Sequence, residues 1–292
     1  MIRASVFDER VNLLGEGPTA TGVANEQISW VDIMGRKVRS RNFLTGEIME
    51  YATQEDVGFA IPRVTGGAIL GVVSGPVLRD ADGSLHQLPS REDADGFPAR
   101  RPIRWNDGKV SPQGDLFMGT MPYDFAANGG AFYQLRGDGK HIRRLFGDVT
   151  VSNGLDWTVD GSRMFYIDTA LGGVDIFDVE GHDIRNRRTL IHFPKEMGSP
   201  DGMSVDANDN LWVAFWLGAA VRCFDGRTGI QIEEITCPAP RITSCVFGGE
   251  KLDQIFITSA REDTDLAQYP EAGMVFMASP GVVGQKTTHF RI

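Results

Sequence analysis

The chain has 292 residues, and 39 acidic against 29 basic residues give it a formal net charge of −10 at pH 7. An apolar share of 41% with 23% charged residues is ordinary for a globular protein, while the negative balance argues against a surface that binds a nucleic-acid backbone. Charges among the first ten residues do not suit a secretory leader, and the apolar runs 66–78 and 213–221 are shorter than a membrane span. We therefore expect neither a nucleic-acid nor a membrane partner.

Short apolar runs of strand length follow one another along the chain, separated by Asp-Gly turn signals. Runs such as 164–168, 211–216 and 255–259 are rich in β-branched and aromatic residues, which is typical of buried strands. Long helical periodicity is missing. The sequence therefore predicts an all-β fold.

These strands belong to a repeated unit, in which a small or polar segment leads into an apolar strand, a turn and a second apolar strand. One residue marks the same stage of each unit: Glu16, Phe59, Asn106, Asn153, Asp201 and Ser244. The markers are 43, 47, 47, 48 and 43 residues apart, which is the length of a four-stranded propeller blade. We predict that residues 1–292 form a single six-bladed β-propeller, closed by a segment from Ala4 to Val11 that pairs beside the last strands. The alternative is a β-sandwich or two small β domains.

Four of the six markers carry a carboxylate or amide side chain, namely Glu16, Asn106, Asn153 and Asp201. The first strand of each blade lines the central channel of a propeller, so we expect these side chains to converge there. Two carboxylates and two amides around one axis would repel each other and leave acceptors unmatched unless a cation lies between them. Hard oxygen donors favour Ca²⁺, Mg²⁺ or Mn²⁺, with Zn²⁺ left open. The alternative is that the Asn-Gly and Asp-Gly pairs are simple turn dipeptides.

The number and spacing of the cysteines indicate the redox compartment of the protein. Cys223, Cys237 and Cys245 form no CxxC pair, and their odd number suggests neither a disulfide framework nor a thiolate zinc cluster. A reducing, cytoplasmic location fits this pattern best.

Seven short motifs occur along the chain: LGEGP at 14–18, RWNDGKV at 104–110, MGTM at 118–121, SNGL at 152–155, PDGM at 200–203, TSCVFGG at 243–249 and PEAG at 270–273. In order and spacing, from about residue 11 to 280, they resemble the SMP-30/gluconolactonase/luciferin-regenerating enzyme family. The resemblance implies a six-bladed propeller. It also implies one divalent metal ion held by Glu16, Asn153 and Asp201.

The same resemblance implies a substrate pocket. It assigns Arg104 and Asn106 to substrate binding, with Asn106 close enough to be a direct or water-mediated metal ligand, and it places Asp124 where some members contact sugar hydroxyls. Two departures from the family's pattern bear on the choice of substrate. Where the family often has two acidic residues after Gly-Thr-Met, this chain has Pro-Tyr-Asp, and Thr19-Ala20 replaces an apolar-aromatic pair.

We therefore predict metal-dependent hydrolysis of an aldono-type sugar lactone, a small molecule, with Ca²⁺ as the foremost cofactor. The ion would act as Lewis acid, Asp201 would orient or deprotonate water as the catalytic residue, and Arg104 would hydrogen-bond the substrate. For Arg104 the alternative is a structural salt bridge. For the chain the alternatives are another propeller hydrolase activity on phosphotriesters, esters or lactams, or a non-catalytic binding propeller with a structural ion. A monomer and a homodimer both remain open.

Overall fold

The computed structural model describes residues 2–96, 99 and 101–292, and these residues form six β-sheets arranged in a ring. The prediction of a six-bladed β-propeller is confirmed. Each sheet is one blade, with its strands in order from the central channel outwards. Strands are numbered in chain order.

The strands of each blade fall into four sets. The inner strands, which line the channel, are β3 (Gly15–Thr21), β7 (Val57–Pro62), β11 (Ile103–Val110), β15 (Ser152–Trp157), β19 (Ser199–Val205) and β23 (Ile242–Gly248). The second strands are β4 (Gln27–Asp32), β8 (Ala68–Val72), β12 (Leu116–Pro122), β16 (Arg163–Asp168), β20 (Leu211–Trp216) and β24 (Gln254–Ser259). The third strands are β5 (Lys37–Asn42), β9 (Gly75–Arg79), β13 (Gly130–Leu135), β17 (Gly173–Glu180), β21 (Ala220–Phe224) and β25 (Val275–Ala278). The outer strands are β6 (Ile48–Ala52), β10 (Leu85–Gln87), β14 (Ile142–Val149), β18 (Asp183–His192), β22 (Gln231–Thr236) and β2 (Ser5–Asp8).

Helical structure is scarce in the described residues. It consists of the helix α1 (Arg91–Asp95) and two 3₁₀ turns, Thr169–Leu171 and Lys195–Met197. Among the residues described, no helix is long and apolar enough to cross a membrane.

The N-terminal segment closes the ring in two places. β2 pairs antiparallel with β25, with Ser5 opposite Met277, so the predicted pairing of the early segment with the last strands is confirmed. In addition, β1 (Ile2–Arg3) pairs in parallel with β22 of the preceding blade, which the sequence did not indicate. Each pairing covers a sheet edge that would otherwise be open to another chain.

Neighbouring inner strands approach so closely that glycine is required between them. A Cβ atom on Gly154 would lie 2.7 Å from the carbonyl oxygen of Asp201, and one on Gly58 would lie 2.5 Å from that of Trp105. Since Asn153-Gly154 lies within β15 and Asp201-Gly202 within β19, these pairs are strand segments. The alternative that they are turn dipeptides is wrong, because the close approach between blades determines the glycine.

The apolar core lies between adjacent blades. Phe117 packs edge-on against Trp157 of the next blade, with ring centroids 5.4 Å apart, and Trp212 packs against Phe247 of the next blade at 5.9 Å. Such aromatic pairs bury large areas in defined orientations. The stacked blades therefore fix the inner strands, and with them the side chains of the channel.

The C-terminal residues 279–292 cross the end of the ring at which the inner strands finish. Val283 accepts a hydrogen bond from the amide of Ala207 (2.8 Å), and Phe290 donates one to the carbonyl of Pro62 (2.9 Å). Between these points, the Gln285 side chain donates to the carbonyl of Trp157 (3.1 Å). The tail thus contacts several blades there, opposite the end at which the inner strands begin, here called the upper end.

Candidate metal and active site

Each inner strand contains a β-bulge near the upper end, where one extra residue lies opposite the second strand. In three consecutive blades the first residue inside the bulge carries an amide or a carboxylate: Asn106, Asn153 and Asp201. Glu16 stands one position earlier, because it still pairs with Val31 before its bulge. The repeat therefore gives three equivalent positions, and the fourth polar side chain is offset by one residue and is longer by one methylene.

Glu16 and Asp201 are two buried carboxyl groups, each with 6% of its surface exposed. Burial raises the pKa of Glu16 well above its usual value, and the charges of Asp201 and Asp107 raise it further. Burial also raises the pKa of Asp201, although the neighbouring amide of Asn153 opposes this rise. The protein therefore holds two carboxylates where their ionised forms are unstable without a cation.

The amide of Asn153 has a fixed orientation. Its Nδ2 donates to Oγ1 of Thr169 (2.9 Å), and Thr169 in turn donates to the carbonyl of Pro200 (2.9 Å), the residue before Asp201. Its Oδ1 is buried and has no hydrogen-bond partner among the residues that the structure describes. An unpaired buried acceptor, together with the two buried carboxylates of the same channel, is a donor set that fits a hard divalent cation.

Arg104 and Asn106 form a second, hydrogen-bonded pair in the same channel. Nη1 of Arg104 donates to Oδ1 of Asn106 and to the carbonyl of Trp105, while Nδ2 of Asn106 donates to the carbonyl of Ser152 (2.7 Å). The oxygen of Asn106 is therefore already paired, unlike that of Asn153. Within the described chain, Nε and Nη2 of Arg104 have no acceptor and the side chain makes no ion pair, so the salt-bridge alternative is not observed.

Asp124 lies away from this group. Its side chain is 63% exposed and forms an ion pair with Arg101 at 3.2 Å. The preceding residue, Tyr123, is closer to the channel: its Oη donates to Oδ2 of Asp56 at 2.7 Å, and its phenol contributes to the electrostatic environment of Arg104. Asp124 therefore lies at the rim. The structure brings together the other five predicted site residues, namely Glu16, Arg104, Asn106, Asn153 and Asp201.

Further polar groups of the channel were not found from the sequence. Below the carboxylates, Nζ of Lys109 lies 2.6 Å from Oδ2 of Asp156. Burial raises the pKa of Asp107 to about 6, although Lys109 opposes this rise. The alternation of Asp107 and Lys109 along β11 was the available signal, but only the inter-blade contact reveals the partner in β15.

Comparison with known proteins agrees with this geometry. The model of the SMP-30/Gluconolactonase/LRE-like region matches residues 14–261. The chain belongs to this family. Among curated relatives, regucalcin of Danio rerio is 36% identical over 282 residues, which cover 94% of this chain and 93% of that protein.

Two solved structures are similar over the whole chain. A luciferin-regenerating enzyme superposes with a TM-score of 0.91 at 25% identity, covering 100% of both chains. A regucalcin from Agrobacterium tumefaciens, described as a calcium-binding protein, superposes with a TM-score of 0.90 at 26% identity, covering 100% of this chain and 98% of its own. The predicted family resemblance is therefore confirmed.

Proposed function

We propose that this family member is a metal-dependent hydrolase that opens a sugar-type lactone to the corresponding sugar acid. The observation that carries the proposal is the unpaired, buried Oδ1 of Asn153, whose amide neighbours the buried carboxyl group of Asp201, with that of Glu16 in the same channel. Membership of a family named after gluconolactonase supports the choice of substrate class.

Glu16, Asn153 and Asp201 would hold the ion. Their three oxygens suit Ca²⁺ first, and Mg²⁺, Mn²⁺ or Zn²⁺ as alternatives. When bound, such an ion supplies Lewis-acid polarisation of an ester carbonyl and lowers the pKa of a coordinated water.

The remaining chemistry belongs to side chains of the channel. Nε and Nη2 of Arg104 can donate to the carbonyl or hydroxyl oxygens of a lactone, since its Nη1 alone is used by the protein. Asn106 holds that guanidinium in place through its Oδ1. Asp201 would orient the attacking water and accept its proton at a carboxylate oxygen. Asp124 would reach only a substituent that extends beyond the rim.

A second candidate is a non-catalytic calcium-binding propeller, which the description of the Agrobacterium tumefaciens relative favours. The two candidates differ in the ligand shell. Three protein oxygens leave several positions of a six- to eight-coordinate ion for water and substrate, whereas a purely structural ion is expected to be enclosed by protein donors. The three donors identified here favour a catalytic site.

The test is a panel of aldonolactones assayed with a pH indicator. Metal-stripped protein is supplied with Ca²⁺, Mg²⁺, Mn²⁺ or Zn²⁺, with Asp201→Asn as the matched variant. We expect acid release only with a restored ion and only in the unmodified protein. Lactone hydrolysis at an undiminished rate in stripped protein would refute the metal dependence, and calcium binding without hydrolysis of any lactone would favour the second candidate.

Several coarser expectations stay proposals. We propose that residues 1–292 act as one domain, as a monomer or homodimer, on a small molecule. A reducing, cytoplasmic compartment is proposed because Cys223, Cys237 and Cys245 are buried free thiols.

A further inference from the structure

Tyr123 lies at the upper end of the channel, beside the residues assigned to substrate. It follows β12 directly, and its amide donates to the carbonyl of Pro102 (3.2 Å), just before β11 begins. This backbone contact places Tyr123 close to Arg104, whose partner across the two strands is Met121. The residue is 37% exposed, so part of its surface is open to solvent.

The phenol is held in one orientation from two other blades. Oη of Tyr123 donates to Oδ2 of Asp56 at 2.7 Å, and Nε of Arg36 donates to Oδ1 of the same carboxylate at 2.9 Å. The Asp56 side chain is only 10% exposed, and each of its oxygens has a partner. Asp56 precedes the inner strand of the second blade, and Arg36 lies in the turn between β4 and β5 of the first, so three blades meet at this point.

These contacts determine whether the phenol oxygen donates or accepts a hydrogen bond towards a ligand. Burial and the hydrogen bond to Asp56 raise the pKa of Tyr123, so the phenol keeps its proton and donates it to the carboxylate. The lone pairs of Oη then remain as acceptors. A ligand group that binds Oη must therefore be a donor, while a group that binds the guanidinium of Arg104 must be an acceptor. Hydroxyl groups next to a carbonyl or ring oxygen supply this combination.

We propose that Tyr123, positioned by Asp56 and Arg36, is a substrate-binding residue that accepts a hydrogen bond from a lactone hydroxyl and so selects hydroxylated lactones. The inference rests on the proposed lactonase function and deepens it. The sequence suggested the carboxylate of Asp124 for contact with substrate hydroxyls at this part of the rim. The proposal assigns that contact to the phenol of the neighbouring Tyr123.

The first test compares Tyr123→Phe with the unmodified protein on two substrates, a gluconolactone and the hydroxyl-free δ-valerolactone. For the hydroxylated lactone we expect KM to rise about five- to tenfold while kcat changes little, since one hydrogen bond to the substrate is lost. For δ-valerolactone we expect no change. Tyr133→Phe is the control, because Tyr133 belongs to the same blade and donates to Asp95 (2.9 Å) away from the channel.

The second test examines the positioning role of Asp56 by a double-mutant cycle. In Asp56→Asn, Arg36 retains the oxygen and the amide nitrogen faces the phenol, so Tyr123 must accept from the amide and turn its own proton outwards. We expect Asp56→Asn alone to raise KM for the hydroxylated lactone. When it is combined with Tyr123→Phe, we expect it to raise KM little further. A purely structural role for Asp56 would give the same effect in both backgrounds.

Failure of this inference can be told apart from failure of the proposed function. A 1,5-anhydrohexitol has the ring hydroxyls without the ester, and its binding is measured by calorimetry in both proteins. If no lactone is hydrolysed but the polyol binds about five- to tenfold more weakly to Tyr123→Phe, the hydroxyl contact stands and hydrolysis is refuted. Equal polyol affinity, absence of polyol binding, an unchanged KM for gluconolactone, or an equal rise of KM for δ-valerolactone would each overturn the inference.

Discussion

Glu16→Gln tests how the buried carboxyl groups of Glu16 and Asp201 affect stability. It replaces one of these two groups by a neutral amide and keeps the side-chain volume. In the metal-free protein, burial raises the pKa of both Glu16 and Asp201, and the charge of Asp201 raises the pKa of Glu16 further. We therefore expect the metal-free variant to be more stable than the metal-free unmodified protein. We also expect it to lose its stabilisation by calcium, since one of the two anionic ligands is gone.

The size of both effects follows from the chain length and the burial. Unfolding of 292 residues carries an entropy of about 0.6 kcal/mol/K, so 1 kcal/mol corresponds to a shift in Tm of about 1.6 °C. Relief of a buried, unpaired charge is worth about 1–3 kcal/mol, or about 2–5 °C. Calcium at a hundred times its Kd stabilises the unmodified protein by about 2.7 kcal/mol, or about 4 °C, which the variant should lack.

Thermal unfolding followed by circular dichroism, at several pH values with and without calcium, measures these shifts. A raised carboxyl pKa stabilises the folded state below the unfolded value near 4.5, and this stability is lost as pH rises through the folded pKa. The advantage of the metal-free variant should therefore grow with pH. Glu50→Gln is the control, since Glu50 lies at the surface and pairs with Lys37 at 2.7 Å. If metal-free Glu16→Gln is less stable than the metal-free unmodified protein, the reasoning is refuted. It is also refuted if calcium stabilises both proteins to the same extent.

Three further predictions concern the neighbours of this pair. Arg104→Ala should raise KM about 10- to 100-fold with a smaller change in kcat, because charge-assisted hydrogen bonds to the substrate are lost; equal KM values would contradict this. Thr169→Val should weaken calcium binding about 10- to 100-fold in calorimetry, because Nδ2 of Asn153 loses its acceptor and the amide can rotate; unchanged affinity would show that Thr169 does not position it. Gly154→Ala should lower Tm by about 2–5 °C, because its Cβ would lie 2.7 Å from the carbonyl of Asp201 and such overpacking costs about 1–3 kcal/mol; an unchanged Tm would show that the blades can separate without penalty.

The blade architecture could be predicted because its signals are local. Each blade carries the same sequence of small or polar segment, apolar strand, turn and apolar strand, and the spacing of the markers gives the length of a blade. The pairing of β1 with β22 could not be predicted in this way, since a two-residue strand has no periodicity. The course of residues 279–292 also gave no signal, because the tail is held by isolated contacts to several blades.

In the candidate site, too, residues with a local sequence signal could be predicted and the others could not. Asn106, Asn153 and Asp201 were found because they occupy one register of the repeat. The offset of Glu16 was not foreseen, because a bulge changes the register without changing the length of the repeat. The contact between Tyr123 and Asp56 joins residues 67 positions apart in different blades, and no pattern within either segment indicates it.

The central claim is that the side chains of Glu16, Asn153 and Asp201 hold one divalent ion. Crystals grown with Mn²⁺ in place of Ca²⁺ and measured at the manganese absorption edge test it most directly. We predict one strong anomalous peak within ligand distance of a carboxylate oxygen of Glu16, a carboxylate oxygen of Asp201 and Oδ1 of Asn153. No peak among these three side chains, or a peak elsewhere in the channel, would contradict the claim.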